Sequence, residues 1–157
     1  MAYLETSKIR DRALPYCVGK GIDLGCGRDP ITPDCVAMDR HEAPEVTLVG
    51  DIGARLPFDD ETFDWVYSSH ALEDFEDTSA ILDEWIRVLK IGGHIILYVP
   101  HPNLYKGTNE DHKHDGFTFV ELVVYLGINI LIVEYLMHDI PREEHPCHST
   151  FVVGRKL

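Results

Sequence analysis

The stretch GIDLGCGRDP, residues 21–30, decides how this chain is read. Gly21, Ile22, Asp23 and Leu24 form a short apolar run around one acid, and the Gly-x-Gly turn Gly25-Cys26-Gly27 ends it. Such a run stopped by glycine reads as a buried strand followed by a tight turn. In open α/β sheets ligands bind beyond the carboxyl ends of the strands, so the turn is a candidate ligand site. It is not the dinucleotide fingerprint G-x-G-x-x-G, because Pro30 stands at the third glycine position. The phosphate loop G-x-x-x-x-G-K-[ST] is absent too.

Outward from this turn, VAMD (36–39) reads as a second strand, and only residues 28–35, with Pro30 and Pro33, separate it from Gly27. A parallel crossover normally carries a helix and a dozen or more residues. At most one helical turn fits here. EVTLVG (45–50) reads as a third strand after another short connection, one containing Pro44. The first crossover helices are therefore expected to be shortened or missing. The second half is more regular. Residues 62–68 predict a strand, and residues 78–90 an amphipathic helix carrying Ile81, Leu82, Trp85, Val88 and Leu89. Thr78 or Ser79 is its expected cap, and Gly92-Gly93 its stop. A strand over 94–99, a polar loop over 101–116, a helix over 118–126 and strands over 128–135 and 149–154 follow. Residues 3–14 predict an N-terminal helix ended near Pro15. With no repeat or linker, residues 1–157 read as a single α/β domain.

The chain has 14 Lys and Arg against 27 Asp and Glu, a formal net charge of −13. Nucleic-acid affinity rests largely on cations that neutralise phosphates, so nucleic acid and anionic membranes are disfavoured as partners. The opening residues lack the continuous apolar core of a signal peptide, and the greasiest stretch, residues 122–133, is interrupted by Gly127 and Asn129. The four cysteines, Cys17, Cys26, Cys35 and Cys147, form no C-x-x-C pair, which fits a reducing cytoplasm.

The residues expected at strand ends are Gly25-Cys26-Gly27, Asp39, Asp51, Ser69-His70 and Pro100-His101. Acids at two successive strand ends suit a ligand with hydroxyls and amines better than a phosphate. The set IDLGCG, MD, GDI, LPFDDETFDWVYSSHALED and LKIGGHIILYVP resembles the class I S-adenosylmethionine-dependent methyltransferases, in that family's order over residues 21–100. The resemblance implies a Rossmann-like, mostly parallel sheet with a reversed edge strand, and S-adenosyl-L-methionine as cofactor. It implies that Asp23, Gly25, Cys26 and Gly27 form the turn beneath the methionine part. Asp39, with Arg40 beside it, takes the ribose hydroxyls in that family pattern. Asp51 meets the adenine amino group, Ile52 packs on the ring, and Ser69 and His70 pass the reactive methyl. The chain departs from the pattern at Asp29, where the family's third glycine usually stands.

The expected acceptor is a small molecule, lipid or glycan. The alternatives are a cofactor-binding regulatory or partner subunit, and a protein or RNA methyltransferase. SSHA stands where base-amine methylating enzymes carry an N/D-P-P-Y-type motif. His70 and His101 are the candidate bases for an acceptor hydroxyl. His112 and His114 share the 101–116 loop, which reads as an acceptor-binding element or lid; polar loops are also polar merely because they are exposed. Neither the His101, His112 and His114 group nor His145, Cys147 and His148 is expected to bind a metal. Asp74 and Asp77 read as a solvated acidic face. The sparse helices beside strands one to three leave a sheet face to be covered by the N-terminal helix and by a second copy, so a homodimer is expected.

Overall fold

Gly21–Leu24 forms β1, buried at every position. The computed structural model describes residues 5–102, 104, 112–140 and 147–157. Val36–Asp39 (β2), Leu48–Val49 (β3) and Phe63–Ser69 (β4) follow with no helix between them, so the expected loss of the first crossover helices holds. The helix Glu5–Ala13 (α1) precedes β1; Thr78–Arg87 (α2), Leu89–Pro100 (β5), Phe119–Leu126 (α3), Ile130–Ile140 (β6) and Cys147–Lys156 (β7) complete the chain. The seven strands make one sheet in the order β3-β2-β1-β4-β5-β7-β6. Pairings from β3 to β5 are parallel, and β7 runs antiparallel to both β5 and β6. The reversed strand is the final one, as expected; it lies one place in from the edge, with β6 outside it.

Alternation along the strands sends side chains to two faces. One face carries Ile22, Leu24, Val66, Ile95, Leu97 and Val152 under α2 and α3, with Trp85 and Leu122 buried among them. The other carries Ala37, Trp65, Tyr67, Ile96, Tyr98 and Phe151, covered by Ile9 and Ala13 of α1 and by Cys26, Ile31 and Cys35 of the β1–β2 connection. The Arg10 guanidinium fastens that connection, donating to the Asp29 carboxylate and to the Pro30 and Ile31 carbonyls. The N-terminal helix thus covers this face as expected, and the helix-free crossover shares the work.

Two helix boundaries differ from expectation. Asp77 caps α2, its Oδ1 accepting from the Ala80 N–H at 3.0 Å, so neither Thr78 nor Ser79 is the cap. Gly92 and Gly93 do not stop the helix but lie inside β5. The β4–β5 register shifts between Phe63 and Trp65, and a Cβ on Gly93 would sit 2.7 Å from the Asp64 carbonyl oxygen. The glycines admit this close backbone approach. Strand β7 and the C-terminal end of β6 run beyond their expected bounds along their shared ladder, whereas β5 starts earlier, at Leu89, where it pairs with Phe63 of β4.

Candidate functional site

The parallel strands β1, β2 and β4 all point their carboxyl ends at one cleft. Gly25, Asp39, Arg40, His41, Asp51, Ile52, His70, Ala71, Asp74 and Phe75 line it, around a volume of about 210 Å³. Gly25 makes its floor. Its φ of +80° is in the left-handed region, and a Cβ there would meet the Ala71 Cβ at 2.7 Å. Only glycine fits both constraints.

Asp39 is held rigidly. Its Oδ2 accepts from the Gly27 N–H and its Oδ1 from the His41 N–H, each at 2.9 Å. One acid thereby braces the Gly-x-Gly turn and still offers a second lone pair on each oxygen. Asp51 is exposed, and its Oδ1 accepts from the Gly53 N–H at 2.8 Å. Phe75 lies so close over Gly53 that a Cβ there would meet its Cε1 at 2.4 Å. Arg40 donates through Nε to the His41 ring at 3.1 Å. The cleft is acidic, with Asp39, Asp51 and Asp74 against Arg40, and apolar along Ile52, Ala71 and Phe75.

His70 sits just past β4 with φ +48°, an uncommon conformation for a residue with a side chain. Its N–H donates to the Tyr98 carbonyl at 2.8 Å, and its Nε2 lies 3.1 Å from Ser149 Oγ. A strained backbone of this kind costs about 1–3 kcal/mol and must be held by its surroundings.

The structure therefore brings together Gly25, Asp39, Arg40, Asp51, Ile52 and His70 of the residues singled out from sequence. The others stand apart from the cleft lining. Asp23 lies behind the turn, 1% exposed, and its Oδ2 accepts from the Ile31 N–H at 2.7 Å. Burial pushes its carboxyl up to about 8, opposed by the Ile31 hydrogen bond and by Arg10. Its place makes it a brace for the helix-free crossover. Cys26 packs into the α1-side core, and burial pushes its thiol up to about 12. Gly27 is exposed and contributes its N–H to Asp39. Ser69 is buried at the end of β4. His101 points elsewhere: its N–H donates to the His148 carbonyl at 3.0 Å and its Nδ1 lies 2.6 Å from the Pro102 carbonyl oxygen.

His41, Ala71, Asp74 and Phe75 join the cleft without having been singled out for it. Asp74 is no part of a solvated face, and beside it Glu73 is wholly buried. The signal for both was the segment SSHALEDF, which directly follows a strand end. Among the described residues no group of histidine, cysteine, aspartate and glutamate could hold a metal ion. Much of the 101–116 loop, residues 103 and 105–111, lies outside the described residues, as does His145. Among the described residues no helix is long and apolar enough to cross a membrane.

Residues 30–97 match a family described as a methyltransferase domain. A demethylmenaquinone methyltransferase of Streptomyces griseus subsp. griseus is 42% identical over 62 residues, covering 40% of this chain and 26% of that protein. One from Chlorobaculum tepidum is 30% identical over 70 residues, covering 45% of this chain and 29% of that protein. The chain thus spans between a quarter and a third of the length of these relatives. Among solved structures, the Burkholderia thailandensis 1,6-didemethyltoxoflavin-N1-methyltransferase, with 1,6-didemethyltoxoflavin and S-adenosylhomocysteine bound, superposes with a TM-score of 0.70 at 18% identity, covering 96% of this chain and 76% of that one. TehB from Haemophilus influenzae superposes with a TM-score of 0.73 at 16% identity, covering 96% and 62%. A chain of the Haloferax volcanii complex that contains the Trm112 methyltransferase activator gives 0.72 at 18% identity, covering 97% and 90%. At such identities the likeness is one of fold.

Proposed function

We propose that this chain is a class I S-adenosylmethionine-dependent methyltransferase, a reading its fold and its matched domain support, and that it moves a methyl group from S-adenosyl-L-methionine to a small-molecule acceptor. The observation that carries the reading is the cleft itself, with Asp39, Asp51 and Asp74 beside Ile52 and Phe75. These residues fit the cofactor. Carboxylates accept from ribose hydroxyls and from an adenine amino group, apolar side chains flank a flat ring, and an acidic cleft favours a cationic ligand. The glycine floor leaves room where a Cβ would intrude.

When bound, the cofactor supplies an electrophilic methyl group on its sulfonium. The protein has then to bind, orient and exclude water. Asp39 holds the ribose in this reading, and Asp51 the adenine edge, with Ile52 and Phe75 against the ring. Alignment of the acceptor supplies much of the rate. His70, on the cleft wall, is our candidate to take the proton of an acceptor hydroxyl. His101 has weaker support, since it does not line the cleft. The curated relatives, named demethylmenaquinone methyltransferases, support a small-molecule acceptor and make demethylmenaquinone the first compound to test. The net charge of −13 speaks against RNA as acceptor.

The test is calorimetric titration with S-adenosylmethionine and S-adenosylhomocysteine, on the native chain and on Asp39→Ala. Micromolar binding is expected natively, weakened roughly ten- to a hundredfold by the loss of charge-assisted hydrogen bonds. No binding at millimolar ligand would sink the reading. A second reading, a cofactor-binding subunit with little catalysis, draws support from the cleft volume of about 210 Å³, which is below the roughly 300 Å³ where ligand pockets usually begin. Tight cofactor binding without methyl transfer to any quinone or other small molecule would favour it.

A further inference from the structure

Glu73 is a buried acid beside the cleft that the proposed chemistry does not use. It lies in the short 3-10 turn Leu72–Asp74 and is 0% exposed. Neither carboxyl oxygen has a hydrogen-bond partner among the described residues. Yet its Oε1 is 3.7 Å from His70 Nδ1 and also 3.7 Å from His112 Nε2. A single oxygen is thus shared by two imidazoles from different parts of the chain. The backbone adds a second link, because the Glu73 carbonyl accepts from the Lys113 N–H at 2.8 Å and the His114 N–H at 3.0 Å.

We propose that Glu73 is a positioning residue whose carboxyl couples His112, on the segment following the 101–111 stretch, to the His70 ring on the cleft wall. The reasoning is steric and electrostatic. At 3.7 Å the oxygen is just outside hydrogen-bond range of both nitrogens. A few tenths of an ångström toward one imidazole makes a hydrogen bond and lengthens the contact to the other. Leaving a sealed carboxyl unpaired is costly, which favours tightening one of the two contacts. The His70 ring is confined on its far side by Ser149 Oγ and by Glu5 Oε2 of α1, 3.7 Å away. His112 also faces Asp74 Oδ1 at 3.9 Å. Burial pushes the Glu73 carboxyl up to about 8, with Asp74 and Glu5 acting the same way. Whatever displaces residues 112–114 changes what holds the His70 ring. The relevance of this to methyl transfer rests on the function proposed above; the coupling itself does not.

The experiment is ring-nitrogen NMR of the ¹⁵N-labelled chain with no acceptor present. Four proteins are compared: native, His112→Asn, Glu73→Gln, and the double variant, each first checked for a native-like amide spectrum. His112→Asn is expected to move the His70 ring resonances well beyond linewidth in the native background, and to leave them in place in the Glu73→Gln background. No movement in the native background overturns the proposal, and so does an equal movement in both. Should Glu73→Gln fail to fold, Glu73→Met tests the same cycle, and the native-background comparison stands by itself. Cofactor titration of all four separates the two proposals: loss of the methyltransferase reading appears as absent binding everywhere, whereas loss of the coupling appears only in the ring spectra.

Discussion

Asp23 and Asp39 are both acids at the ends of neighbouring strands, and their surroundings give them opposite work. Asp39 meets the cleft and is fixed by two backbone N–H groups. Asp23 is sealed behind the turn, and burial pushes its carboxyl up to about 8. In an unfolded chain an aspartate titrates near 3.9. Between about pH 4 and pH 8 the folded protein therefore holds a proton that the unfolded chain has lost. Stability falls as pH rises through that window. Asp23→Asn removes the titration while an amide oxygen can still accept from Ile31. Its stability relative to native should rise, from pH 5 to pH 8, by on the order of a few kcal/mol, read from urea midpoints at both values. A gap that stays constant with pH would show that Asp23 is ionised in the fold. Gly25→Ala is expected to lose cofactor binding and about 1–3 kcal/mol of stability together, from its positive φ and the Ala71 contact. The sequence made Gly25, Asp39 and Asp51 legible because strand ends in such sheets face the ligand. It did not separate Asp23 from them, since burial of one acid among several depends on where α1 and residues 28–31 lie.

At the scale of elements, ends proved harder to read than middles. The amphipathic run of α2 is plain from Ile81, Leu82 and Trp85, all buried. Its start is set by Asp77, and Asp77→Ala should cost about 1 kcal/mol in chemical denaturation through the lost Ala80 N–H bond. Thr78 and Ser79 are equally good caps by type; Thr78 is instead buried inside the first turn. Gly92-Gly93 looks like a helix stop in sequence because glycine pairs usually are. Here the pair serves the irregular β4–β5 register, where the Asp64 carbonyl sits against Gly93. Gly93→Ala is accordingly expected to destabilise by roughly 1–3 kcal/mol. A neutral result would mean that β5 relaxes around the methyl. The capping box of α3, in which the Thr118 hydroxyl and backbone pair with Glu121, is by contrast entirely local, and it sits at the start of the helix read over 118–126.

At the scale of the whole molecule, the helix-free half of the sheet is the distinguishing feature. A mostly parallel sheet needs cover on both faces. On one face α2 and α3 supply it; on the other α1 and the β1–β2 connection do, fastened by Arg10. Two buried acids, Asp23 and Glu73, are both pushed up to about 8 by burial, and both lose stabilising weight as pH rises from about 4 to 8. Glu84, held below the usual carboxylate range by its bond to Arg87, works the other way and loses its contribution only as pH falls below that range. The net charge of −13 adds self-repulsion at neutral pH. Thermal stability should therefore peak on the acid side of neutrality and, at pH 8, increase with added salt. A melting temperature that climbs steadily from pH 5 to pH 8 would contradict both the buried acids and the repulsion.

The sequence by itself determined the sheet, the missing early crossover helices, and the acids that end β2 and follow β3. These depend on local spacing: apolar runs, the proline-bearing connection 28–35, and glycine turns at strand ends. Packing alone turns Asp23 and Cys26 away from the cleft and Asp74 and Phe75 into it, and seals Glu73 between His70 and His112. Those outcomes depend on which side of the sheet each later segment covers, and on contacts between residues far apart in the chain. Burial and shared oxygens are properties of packing, and no spacing of residues along the chain encodes them.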